Sequence, residues 1–529
     1  MTNMNKVQKK NTGSFYTCKS IAEYLSSWAI DSETDIVLEP SFGDGSFIDE
    51  VLNIFKKRNI PASNLIGVEL QNEPYNIIKN KYPDVRLHLN DFMCFKTKEK
   101  IHAVIGNPPY VSLKNVDDIG RANANKTMSG YKYDLSKTSS MWLPFIVHSA
   151  ELLDVNGKIG FVLPYEMTYV NYSFNLWNYL KKNFGKISIY RVHEDFFPDV
   201  EVETILFLAE EKGKTTREVC YKIFDSVDDL FKNQSVVNTR VTIDSIVNRN
   251  KPFEEALLTD GAQTVIARLN KEKKLHLMKD ECKFKIGYVC GNKHFFHPTN
   301  EIIRKYKIPK SDLLPCLINS KDTKAIQKDG LELKMHNGGS KLFYPSSDNI
   351  SKYVKYGESL GLQNGYKCKR RKPWFRTPDV KAPDLVLTVF GNVPTLLDNG
   401  CGYAISNSLL AGTMSKGVDK KNLVCRWYNS LTLLFIELTI HSLGGGTLVL
   451  IPGETDMLKI LKPIPSELVD TCFEKLNACY KEKGIEKTYT LGDELVLKEI
   501  YNFTDSEIDE IRKSLLVLKN WRIPETRRK

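Results

Sequence analysis

None of the 11 cysteines of this 529-residue chain forms a Cys-x-x-Cys pair, which argues against a zinc ribbon. Cys282 and Cys290 are not at ligand spacing either. No metal site is expected, and the cysteines read as thiols of a reducing compartment. No apolar run approaches the roughly 20 residues that span a bilayer, and the opening Met-Thr-Asn-Met-Asn-Lys has no apolar signal core. A soluble, cytoplasmic protein away from membranes is expected. Internal repeats and low-complexity tracts are absent. Acidic charge is not in excess: 75 Lys and Arg face 64 Asp and Glu, a formal net charge of +11. That balance favours a polyanionic partner. The length suffices for two or three domains, each with a sizeable core.

Against these absences stands the tetrapeptide Asn107-Pro108-Pro109-Tyr110, at the end of the apolar run Ala103-Val-Ile-Gly106. Proline fixes its own φ and has no N–H, so the two prolines stiffen the turn and leave carbonyls as their only backbone polar groups. The Asn107 side-chain oxygen and the Pro108 carbonyl can together accept both hydrogens of an exocyclic amine. Tyr110 supplies a stacking face for the ring carrying that amine. The bland alternative is an ordinary Asn-Pro turn after a strand.

The segments upstream favour the chemical reading. Asp35-Ile-Val-Leu38 reads as a buried strand running into Glu39-Pro40-Ser41-Phe42-Gly43-Asp44-Gly45, followed by a helical pattern at Ile48, Val51, Leu52 and Phe55. The turn is not Gly-x-Gly-x-x-Gly, but strand, glycine turn and helix form the first unit of a nucleotide-binding sheet. A second strand, Asn64-Leu-Ile-Gly-Val68, ends in Glu69, where an acid is placed to bind ribose hydroxyls. A third, Val85–Leu89, ends in Asn90-Asp91-Phe92, an acceptor and a ring suited to adenine. The strand carrying Asn107 is the fourth. All four end in a polar or aromatic group at the edge where open α/β sheets bind ligands.

This order resembles the S-adenosylmethionine-dependent methyltransferases, and within them the γ class of DNA adenine-N6 methyltransferases that includes the TaqI methyltransferase. Gly13-Ser-Phe-Tyr-Thr17 resembles the family's leading segment, with Cys18 where proline is usual; Trp142-Leu-Pro-Phe145 and Gly157–Pro164 resemble the segments that follow Asn-Pro-Pro-Tyr. The resemblance implies an α/β fold: a Rossmann-like sheet with helices on both faces, then a mixed α+β target-recognition domain and a helical C-terminal tail. It implies S-adenosyl-L-methionine as cofactor, held by Thr17, Glu39, Pro40, Gly43, Gly45, Glu69, Asp91, Phe92, Asn107 and Phe145. Asn107, Pro108, Pro109 and Tyr110 then carry catalysis, with Phe197, or Phe196 beside it, facing an extruded base.

The expected domains are residues 1–250 for catalysis, 251–466 for DNA recognition and 467–529 as a helical extension. Gly287-Tyr-Val-Cys-Gly-Asn-Lys-His-Phe-Phe296 resembles the opening of the recognition domains of this class. Lys367-Cys-Lys-Arg-Arg-Lys-Pro-Trp-Phe-Arg376 has six basic residues in ten, and Lys369, Arg370, Arg371 and Trp374 are its candidates for DNA contact. The alternative is a solvated charge run. Thr504 with Glu507 fits a capping box ahead of an apolar helical stripe. The reading is a sequence-specific DNA adenine-N6 methyltransferase acting as a monomer on double-stranded DNA, in a setting that admits a separate restriction endonuclease. A protein glutamine-amide methyltransferase and a non-catalytic DNA-specificity subunit are the alternatives.

Overall fold

The computed structural model describes residues 17–194, 203–248, 251–322, 329–336, 339–346, 351–378, 380–391, 393–442 and 446–523. Phe196, Phe197 and the leading segment up to Tyr16 lie outside them. The chain divides into two compact units, up to Leu257 and Leu258–Ile523.

Short buried runs bounded by turns build one nine-stranded sheet in the first unit. Its strands are β1 (Val37–Glu39), β2 (Leu65–Glu69), β3 (Arg86–Leu89), β4 (Ile101–Gly106), β5 (Leu153–Pro164), β6 (Phe184–Val192), β7 (Thr204–Lys212), β8 (Glu218–Phe224) and β9 (Val237–Thr242). The order is β3-β2-β1-β4-β5-β7-β6-β8-β9. The first five run parallel, and β7 inserts antiparallel between β5 and β6. Because β1 lies between β2 and β4, the strand order reverses there, which creates the crevice where open sheets take ligands. Both faces are covered. Ala103 and Ile105 of β4 join a core with Ile21 and Leu25 of helix α1 (Lys19–Ala29) and Val51 and Phe55 of helix α2 (Ser46–Arg58). Val104, which points the other way, is equally inaccessible.

The first unit extends past the expected boundary at 250. Phe253 packs edge-on against Tyr221 at 5.0 Å, and Glu254 accepts a hydrogen bond from Tyr165 at 3.0 Å.

The second unit holds smaller sheets: β10 (Leu275–Leu277) with β18 (Lys459–Leu461), the set β11 (Cys282–Ile286), β17 (Leu409–Met414), β14 (Leu385–Thr388) and β15 (Leu396–Asp398), and the set β13 (Lys341–Phe343), β12 (Leu313–Leu317) and β16 (Ala404–Ile405). Residues 467–523, expected to form a separate extension, belong to this unit. In helix Asp505–Arg522, whose capping box is formed by Thr504 and Glu507, the Arg522 guanidinium makes two 2.8 Å bonds to the buried carboxylate of Glu437.

Candidate active site

The carboxyl ends of β1, β2, β3 and β4 converge on one cavity. It is lined by Thr17, Pro40, Gly43, Glu69, Asp91, Phe92, Asn107, Pro109 and Phe145, among others. Nine residues expected from four strand ends, a helix and the chain's leading segment thus meet at the switch point. Glu39, Gly45, Pro108 and Tyr110 do not line it. Glu39 is buried beneath the turn, where its Oε1 accepts from the Ser41 N–H at 3.3 Å and its Oε2 has no partner among the described residues. Burial pushes its carboxyl well above the usual range, and the neighbouring Glu69 adds to the effect. Gly45 shapes the turn instead: it sits at φ 85° as the N-cap of α2.

Glu69 is tied down at both oxygens. Gly43 N–H donates to Oε2 at 2.9 Å and Gln71 N–H to Oε1 at 2.8 Å. A carboxylate has about four lone-pair directions, so each oxygen keeps acceptor capacity at the cavity it lines. Burial raises the Glu69 pKa, while these two N–H groups pull it back. Asp91 is held in the same way, accepting from Met93 N–H at 2.9 Å and from the Asn123 side chain at 2.8 Å. Phe92 leans on Phe145 with ring centroids 4.9 Å apart. Under Phe92, at 4.7 Å, lies His148, whose Nδ1 meets the Tyr131 hydroxyl at 2.6 Å and whose Nε2 meets the Phe95 carbonyl at 3.0 Å. Those partners assign the neutral ring with its proton on Nε2. Burial lowers the His148 pKa to about 4.

Asn107 is half-buried at the cavity, and its carbonyl accepts from the Ser41 hydroxyl at 3.4 Å. Pro108 is buried. Tyr110 is half-buried, and burial pushes its phenol well up, which keeps it neutral. Ser41, Asn123 and His148 are the supporting residues that sequence reasoning missed. Ser41 stands inside the glycine turn and was open to notice. Asn123 and His148 come from helices whose sequence gives no sign of which side chain faces Asp91 or Phe92.

The cavity suits an adenosyl ligand. Two acids with spare acceptor capacity, one at the end of β2 and one after β3, match ribose hydroxyls and an exocyclic amine. Phe92 and Phe145 give a purine apolar surfaces, and Thr17 adds a hydroxyl. This combination at the switch point of such a sheet defines an S-adenosyl-L-methionine-dependent methyltransferase.

Family models place it further. Residues 46–197 match the Eco57I restriction-modification methylase family, and residues 250–497 match the C-terminal domain of type II methyltransferase M.Eco57I. Among curated proteins, the type II methyltransferase M.AccI of Acinetobacter calcoaceticus is 25% identical over 72% of this chain and 72% of its own length. M.BstVI of Geobacillus stearothermophilus is 23% identical over 90% of this chain and 93% of its own. The type IIL restriction–modification enzyme MmeI, solved with DNA, shares the fold at a TM-score of 0.54 and 13% identity, over 95% of this chain and 75% of that one. The chain spans 65% of the restriction endonuclease BpuSI. Together these matches support a type II DNA methyltransferase. No helix among the described residues is long and apolar enough to cross a membrane.

Proposed function

We propose that this protein methylates the N6 amine of adenine in double-stranded DNA, at a specific sequence, as the modification enzyme of a restriction–modification system. The observation that carries this reading is Asn107-Pro108-Pro109-Tyr110, which leaves the end of β4 with Asn107 and Pro109 at the wall of the cofactor cavity.

Glu69 would hold the ribose hydroxyls and Asp91 the adenine amine of the cofactor, with Phe92 and Phe145 against its ring. The bound sulfonium supplies an already activated methyl group. The chain's own task is to make an aryl amine nucleophilic. The nitrogen lone pair of that amine is delocalised into the purine. Accepting its two N–H bonds at the Asn107 side-chain oxygen and the Pro108 carbonyl favours a pyramidal nitrogen with its lone pair turned toward the cofactor. Both acceptors gain strength as positive charge develops on nitrogen, so they stabilise the transition state more than the ground state. The target base must leave the duplex to reach them. Tyr110, neutral by burial, stacks on one face; Phe197, which lies outside the described residues, is the proposed partner on the other. The enzyme acts as a monomer, and any cleaving activity belongs to a separately encoded endonuclease.

Modification-sensitive long-read sequencing of plasmid from a host expressing the chain, beside an Asn107→Ala control, tests this reading. N6-methyladenine at one short sequence is expected, reduced in the control by ~100-fold or more, the usual loss when a main transition-state interaction is removed. Plasmid without adenine methylation, from a protein that binds S-adenosyl-L-methionine, would overturn it.

A further inference from the structure

The net positive charge of the chain comes from one part of it. Residues 291–378 contain 18 Lys and Arg against seven Asp and Glu, an excess of 11 that equals the excess of the whole chain. The other residues are neutral in sum. At the start of this stretch the fold joins two segments far apart in sequence. Arg371 bridges them: its guanidinium donates to the carbonyls of Val289 and Cys290, the latter at 2.7 Å, and lies 5.8 Å from the Phe296 ring. Gly291 seats the join, since a Cβ there would stand 3.2 Å from the Cβ of Lys367. Trp374 is equally committed. It packs on Phe295 at 5.3 Å and donates to Glu358 at 3.3 Å, beside a stack of Phe295 on Tyr353 at 4.6 Å. Arg371 and Trp374 are therefore the strut and the aromatic footing of a surface, and their neighbours form the surface itself.

Those neighbours are Lys367, Lys369, Arg370 and Lys372, all four exposed, with Lys293 and His294, also exposed, on the joined segment. Tyr366 stands among them 59% exposed, its ring covered by the Arg370 guanidinium at 4.1 Å. Several like charges held together in this way repel one another, and the fold accepts that cost on a rigid aromatic base. We infer that this face binds the sugar–phosphate backbone of double-stranded DNA, with Lys367, Lys369, Arg370 and Lys372 on phosphates and Tyr366 against sugar. The inference rests on the DNA-methylation reading and adds to it the surface that grips the duplex. It also reassigns the basic cluster: four of its cations touch DNA, while Arg371 and Trp374 hold the shape. Phosphate contacts position a protein without reading sequence, so this face supplies affinity and leaves base recognition to other residues.

The test uses the full-length chain and a fluorescent duplex, with Kd measured against salt concentration. Each cation withdrawn from a phosphate lowers the slope of log Kd on log salt by about one. The combined variant Lys367→Ala, Lys369→Ala, Arg370→Ala and Lys372→Ala is expected to bind at least tenfold more weakly at moderate salt. Its slope should fall by about two to four, equally for duplexes with and without the methylated sequence. Its melting temperature should match the parent because the removed side chains reach into solvent. Arg371→Ala is expected to do the reverse and lower the melting temperature. An unchanged slope in a folded variant overturns the inference, as does a weakening confined to the methylated sequence, or a slope change seen with structured RNA and not with duplex. Failure of the methylation reading is separate: it would show as parent protein that leaves DNA unmethylated, whatever this slope does.

Discussion

His148 lies under the aromatic pair of Phe92 and Phe145 at the cavity. It is 1% exposed, lies under Phe92 and has each ring nitrogen engaged. Its pKa is lowered from 6.5 to about 4 because burial disfavours the charged ring. The sign follows: the folded state binds fewer protons than the unfolded one between these values, so stability is complete above pH 6.5, falls as pH drops through that window, and levels off below about pH 4. The loss is roughly 3 kcal/mol, from about 1.4 kcal/mol per unit. Denaturant unfolding at several pH values should show this loss in the parent protein and a shallower one in His148→Gln, which keeps an amide for both partners. Equal slopes would mean that the ring is already charged in the fold. Sequence alone could not single out this histidine, since its role depends on three groups brought from other segments. Glu69 and Asp91 were legible for the opposite reason. Each stands at or just beyond a strand's end, and strand ends in a parallel sheet all point to one edge.

At the scale of elements, the same logic separates what could be read from what could not. β1, β2 and β4 announce themselves because a parallel strand covered on both faces must be apolar nearly throughout, as the five buried residues of β2 are. β8 and β9 do not. β9 is polar and has a single buried residue, Val241, so the stretch from Val219 to Asn250 reads as mixed, although β8 carries the alternation of a half-buried strand. The glycine turn between β1 and α2 was legible as a turn, and its backbone now gives it a measurable function. Gly45 at φ 85° starts α2, while Gly43 donates its N–H to Glu69. An alanine at 45 meets the Ile78 Cδ1 at 2.5 Å, a flexible tip that can swing aside, so the larger cost lies in the left-handed backbone. Gly45→Ala should therefore lower stability by about 1–2 kcal/mol and weaken S-adenosyl-L-methionine binding, because relief of the strain rotates the Gly43 N–H off its carboxylate. Unfolding curves and titration calorimetry check the two effects. Cofactor affinity equal to the parent's would place this turn outside the binding site.

Over the whole molecule, chemistry and charge are divided between the two units. Every described residue that lines the cofactor cavity comes from the first unit, between Thr17 and Phe145. Every residue of the basic face comes from the second. The length of the chain made a second unit beside the sheet legible in the sequence. The side chains that would meet DNA were not legible, because composition counts charges without giving their direction: Arg371 and Arg370 are adjacent, and one turns inward to backbone carbonyls while the other is exposed. The division predicts two separable losses in one full-length chain. A ligand that binds only the folded state stabilises it by RT ln(1 + [L]/Kd), about 2.7 kcal/mol at roughly a hundred times Kd, so S-adenosyl-L-methionine should raise the melting temperature of the parent. Glu69→Ala should lose most of that rise, since it removes the acceptor proposed for the ribose hydroxyls, while its DNA affinity keeps the parent's dependence on salt. The four-fold variant of the basic face should show the full rise with cofactor and the reduced salt slope with DNA. Thermal shift and duplex anisotropy on the same three proteins decide the matter. If Glu69→Ala also flattens the salt dependence, or loss of the lysines also removes the cofactor shift, the two sites act as one, and the second unit would have to be assigned a part in holding the cofactor.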